Sequence, residues 1–166
     1  MTAQAATSGP FKDSLNLIIP ESKVPFFHPG FLGIVVINRC LWKTSDRMPA
    51  PAFIVEFTVE SAAKMAPTDQ TPPGSQRSWF QSMKEERTGW DSASLFLYAA
   101  MGLDPNSIEC KTKVEPHRAA FLNSALEGKG SNSLRGERVQ LETSLIKTKK
   151  QTDFTKYIFS VAPPKT

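Results

Sequence analysis

ERVQLETSLIKTKKQTDFTKYIFSVA, residues 137–162, holds two alternating stretches on either side of a lysine-rich turn. The first sets Val139, Leu141 and Leu145 on one face against Arg138, Gln140 and Glu142. The second sets Tyr157, Phe159 and Val161 against Lys156, Ile158 and Ser160. Side chains alternate across a strand, so each stretch has one face suited to a core and one suited to water. The pattern predicts a β-hairpin with Lys147, Lys149 and Lys150 around its tip.

Three more strand-like stretches lie upstream. FLGIVVINRCLWK (31–43) is rich in β-branched residues, and AFIVEFTVE (52–60) places Phe53, Val55, Phe57 and Val59 opposite Glu56, Thr58 and Glu60. SQRSWFQSMK (75–84) follows a Pro-Pro-Gly turn and puts Arg77, Trp79, Gln81 and Met83 on one face, with no polarity to say which face is inward. Two helices are expected between the third and fourth strands. Asp91 or Ser92 caps SASLFLYAAM, which Gly102 ends, and Pro116 opens PHRAAFLNSAL, which Gly128 ends. The thirteen prolines cluster at the boundaries between these elements.

Three strands, a helical insertion and a closing hairpin follow the connectivity of a five-stranded oligonucleotide-binding (OB) barrel. The expected fold is therefore mainly β, an OB-like barrel with two helices between the third and fourth strands. An open α+β sheet with both helices on one side satisfies the same pattern. Residues 23–166 are expected to form this one domain, preceded by a less ordered arm over residues 1–22 whose SLNLII is apolar enough to dock.

The chain has 166 residues, 40% of them hydrophobic and 22% charged, which suits one water-soluble domain. No apolar run approaches the ~20 residues of a membrane span, and the N-terminus lacks the pattern of a secretory signal, so a cytoplasmic location is expected. Cys40 and Cys110 are far apart, with no CxxC, and read as buried thiols. The net charge of +4 is uneven: residues 129–166 carry eight Lys or Arg against three acids, and the rest of the chain is close to neutral.

The blocks PAFIVEFTVESA, PPGSQRSWF, SASLFLYAAMGLDP and LRGERVQLETSLIKTKKQTDFTKYIFSVAP resemble, in that order, those of small bacteriophage OB-fold single-stranded DNA-binding proteins. The resemblance covers roughly residues 30–162 and is most characteristic at Leu134, Arg135 and Gly136, the lysine-rich turn, and Phe154 with Thr155. It implies sequence-nonspecific binding of single-stranded DNA in phage replication or recombination, in the host cytoplasm, with replication or recombination proteins and further copies of the chain as possible partners. Many single-strand binders end in an acidic tail that recruits partners. This chain ends SVAPPKT with no acid after Asp153, so recruitment by such a tail is not expected.

Binding a single strand requires cations that follow the phosphates and flat rings on which bases stack. The candidates are Lys147, Lys149 and Lys150 at the hairpin tip, Lys156 on the last strand, and Arg135 and Arg138 at the hairpin entry. Arg39 and Lys43 on the first strand, Arg77 on the third, and the rings of Trp79 and Trp42 complete the set. Against each stands an ordinary role: a solvated turn for the lysines, surface charge for the arginines, core packing for the tryptophans. Tyr157, Phe53 and Phe57 read as core.

Glu56 and Glu60 share a strand face, but no spacing predicts further carboxylates or histidines converging on them, and HExxH, GxSxG and GxxxxGKS are absent. No enzyme activity, cofactor or metal is expected. The competing reading is a non-enzymatic protein-interaction module, a phage structural or host-modifying protein, whose mark would be an exposed apolar patch in place of a basic groove.

Overall fold

A computed structural model describes residues 24–165 except 45, 48, 49, 85 and 129, without side-chain detail at 86 and 87. The expected arm, 1–22, lies outside the described residues. The five strands are β1 (Leu32–Lys43), β2 (Ala52–Lys64), β3 (Gln76–Ser82), β4 (Arg138–Lys147) and β5 (Asp153–Val161). They form one antiparallel sheet in the order β3-β2-β1-β4-β5. The closing hairpin pairs in register from Val139 opposite Val161 to Lys147 opposite Asp153.

Helix α1 (Glu86–Ala100) begins well before the expected cap at Asp91 or Ser92. Gly89 lies so close to Met83 and the Ser82 carbonyl that any Cβ would crowd them, and half-buried Trp90 packs against the core. That packing outweighs a cap worth ~1 kcal/mol. The helix ends where expected: Gly102 takes a φ of +74°, its N–H bonds to the Ala99 carbonyl, and the Leu103 N–H reaches the Tyr98 carbonyl at 2.9 Å. Helix α2 (Arg118–Ala125) follows a π-helical turn at Cys110–Val114 and a 3₁₀ turn at Glu115–His117 that contains Pro116.

The expected closed barrel is not formed by backbone ladders. Among the described residues no ladder joins β3 to β5, so the sheet is open between them. Side chains bridge the gap instead. Trp79 of β3 lies 4.8 Å, ring centre to ring centre, from Phe159 of β5, and Phe96 of α1 sits 5.6 Å from Trp79 and 5.2 Å from Phe159. Phe96 also contacts Phe53 and Phe57 of β2. Two edges separated by three strands meet only if the sheet is strongly curled, and α1 packs over the junction.

Residues 24–31 tie the same opening. The Ser78 N–H donates to the Pro25 carbonyl and its hydroxyl to the Val24 carbonyl, both at 2.8 Å. Farther along, the Thr143 hydroxyl donates to the His28 carbonyl at 2.7 Å, and the Thr143 N–H to the Phe31 carbonyl at 2.9 Å. Phe27 packs edge-on against Tyr157. This segment therefore links β3, β5 and β4 with hydrogen bonds and rings.

Phe96 is fully buried at the centre of this cluster. Phe96→Ala should lower the unfolding free energy by about 3–5 kcal/mol in urea titration, the usual cost of deleting a large core ring.

Candidate nucleic-acid interface

The β4–β5 hairpin outruns the sheet that supports it. β4 pairs with β1 only from Arg138 to Glu142, so residues beyond Thr143 continue as a two-stranded arm with no third strand. At its tip the Gln151 N–H bonds to the Thr148 carbonyl at 2.9 Å, the Thr148 N–H to the Thr152 carbonyl at 3.0 Å, and Gln151 takes a φ of +62°. Lys149 and Lys150 occupy the two central positions of that turn, as in three-residue hairpin loops that end in a left-handed residue. Both are exposed and have no hydrogen bond or ion pair among the described residues.

Lys147 bonds to Asp153 at 2.9 Å, with both side chains 61% exposed. Such a pair is worth at most ~1 kcal/mol, so a phosphate can displace the carboxylate at little cost. Lys156 stands exposed on the outer face of β5, and Phe154 and Ile158 share that face two residues to either side. Phe154 is 53% exposed, Ile146 beside it 41% and Ile158 41%. The arm thus offers an aromatic ring flanked by aliphatic side chains and lysines. Lys64, at the end of β2, pairs with Leu32 at the sheet end from which the arm emerges, and is exposed as well.

Several expected site residues serve other ends. Trp79 is a core residue, 3% exposed and packed edge-on against Phe53, so it has no face for a base. Arg77 does not grip a phosphate beside it: its guanidinium makes two bonds to Asp69, at 2.8 and 2.6 Å, and two more to the Gln76 and Gln70 carbonyls. Arg138 is held by Glu60 at 2.9 and 2.7 Å and by the Pro163 carbonyl. Arg39 bonds to Glu56, directly across the ladder, and to Glu127 at 2.8 Å. Three of the four arginines proposed as phosphate ligands are therefore structural ion pairs, and the Glu56 and Glu60 carboxylates belong to different ones.

Arg135 is exposed at the hairpin entry, on the far side of the β1 pairing from the tip. Trp42 and Lys43 are half-buried at the other end of β1, away from the lysine-rich turn. The structure brings together Lys147, Lys149, Lys150 and Lys156 and adds Phe154, Ile146 and Ile158, which the sequence reading did not select. Their signal was present: Phe154, Lys156 and Ile158 share one parity on the final strand.

Among the described residues no group of three or more His, Cys, Asp or Glu could hold a metal, and no helix is long and apolar enough to cross a membrane. Burial pushes the Cys40 thiol up to about 12. Neither a protein-family model, nor a curated protein, nor a solved structure matches the chain.

The arginine pairs predict how stability responds to acid. The hydrogen bond from Arg77 holds the Asp69 carboxyl below its ordinary 3.8, and that from Arg138 holds Glu60 below its ordinary 4.5, in both cases against a smaller desolvation penalty. Groups lowered by folding contribute stability above their unfolded values and lose it as pH falls through the folded ones. Thermal midpoints should therefore stay level down to about pH 5 and decline below it. Asp69→Asn should have a lower midpoint at pH 7 and a shallower decline below about pH 4.

Proposed function

We propose that the protein binds single-stranded DNA without strong sequence preference, using the projecting β4–β5 arm as its main contact. The observation that carries this reading is the exposed Phe154 ring next to Lys156, on an arm whose tip presents Lys149 and Lys150. A base stacks on the ring, the aliphatic side chains of Ile146 and Ile158 cover its edges, and the lysines follow the phosphates. Loops at the fourth and fifth strands border the binding face of OB folds, and the observed strand order is that of a five-stranded barrel opened between β3 and β5. An OB-like architecture is the finer fold we infer. Single-strand binding in phage replication or recombination, in the host cytoplasm, is also what the resemblance to the phage binders implies.

Ordinary duplex DNA hides its base faces, so the stacking half of this mechanism selects single strands. The lysine half is electrostatic and weakens with salt as counterions are no longer released to advantage. No group of the arm is required to do chemistry.

One observation favours a second reading, a protein-interaction module. Of the eight large hydrophobic side chains exposed among the described residues, Leu145, Ile146, Phe154, Ile158 and Val161 lie on this hairpin, and β5 is an edge strand. Exposed apolar side chains on a free edge also suit an added strand from another protein.

Fluorescence anisotropy of a labelled thymidine oligonucleotide separates the two. Wild-type binding should fall steeply with salt and resist duplex competitor. Replacing Lys147, Lys149 and Lys150 together by alanine should weaken it and make its salt dependence shallower, while Phe154→Ala should cost about 1–3 kcal/mol with the salt slope unchanged. Absence of binding at low salt would leave the protein-interaction reading.

A further inference from the structure

At the end of the sheet opposite the arm, Trp42, Phe53, Met83, Trp90, Leu122 and Leu126 line a cavity of about 330 Å³ that is open on one side. That volume falls in the range of small-ligand sites, which are mostly apolar with a few polar groups at the rim. The Trp42 and Trp90 rings lie 6.3 Å apart and are inclined at 38°, giving two aromatic walls. Asn123 also lines the cavity, and its exposed amide has no side-chain hydrogen bond among the described residues. The Arg118 guanidinium lies 6.0 Å from the centre of the Trp90 ring. Its nearest carboxylate oxygen, on Asp91, is 3.8 Å away, beyond the reach of a good hydrogen bond.

We propose that this cavity binds a planar aromatic group with a nearby negative charge, of the size of a nucleotide. Apolar walls with two indoles favour a flat ring, the Asn123 amide can pair with polar atoms on that ring's edge, and Arg118, beside the Trp90 wall, supplies a nearby cation. An aliphatic occupant would leave the amide and the guanidinium unused. β1 separates this site from the arm: Leu32 lies at the arm's base and Trp42 in the cavity wall, ten residues or roughly 30 Å along the strand. The inference therefore does not rest on what the arm binds.

Two of the three tryptophans wall the cavity, so intrinsic fluorescence reports its occupancy. Thymidine 5′-monophosphate should quench the emission saturably. Arg118→Gln should weaken that binding several-fold and leave the weaker binding of thymidine unchanged. Ala119 is exposed and lines the cavity, so Ala119→Phe should block the mouth without disturbing the core. Loss of the quench in Ala119→Phe supports the site. No saturable quench up to about 5 mM, or a quench that survives Ala119→Phe, overturns it. A ten-residue thymidine oligonucleotide that displaces the monophosphate from the triple-lysine variant identifies a base within a strand as the occupant, and failure to displace it identifies a free nucleotide.

Discussion

Everything in this fold depends on how an open sheet covers its core with no ladder between its two edge strands. Five antiparallel strands with no ladder between β3 and β5 would leave a wide apolar trough, and the aromatic junction of Trp79, Phe96 and Phe159 closes it. Phe96 supplies the third ring from a helix inserted between the third and fourth strands, so the insertion is part of the closure and not an ornament on it. Gly33 shows how tight the curled sheet is, since a Cβ there would collide with the Ser61 carbonyl oxygen. Residues 24–31 complete the seal with backbone hydrogen bonds that any sequence can make, anchored by the Ser78 and Thr143 side chains.

Three of the seven arginines are spent on holding the fold. Arg39, Arg77 and Arg138 each face a carboxylate, Arg77 on a loop eight positions away and Arg138 on Glu60 across 78 positions. Each pair fixes a register or a loop and cancels its own field. The positive charge of the arm belongs to lysines, which stand beside exposed apolar side chains. A mild net charge of +4 can thus be locally strong.

Much of the fold could be read from the chain because alternation and turn chemistry are local. The strands on either side of the lysine-rich turn, the Gly102 stop and the β2 core face all follow from residues within a few positions of one another. Barrel closure does not, because whether β3 and β5 share a ladder depends on sheet curl and on the Phe96 ring. The Arg39–Glu56 pair needed the β1–β2 register, which three irregularities in the pairing shift along its length. Trp79 looked available because both faces of its strand mix polar and apolar residues. Register decides it: Trp79 lies opposite Val55, on the buried side. Phe154 was legible in principle, since it alternates with Tyr157 and Phe159, which are turned inward, but only the short pairing of β4 with β1 shows that this part of the hairpin stands clear of the sheet.

Hydrogen–deuterium exchange with and without a saturating thymidine oligonucleotide locates the contact without altering a residue. New protection is expected over residues 144–158, with the amides of β2 and β3 unchanged. Protection confined to the sheet faces or to α1, with the arm exchanging as in the free protein, would contradict binding by the arm.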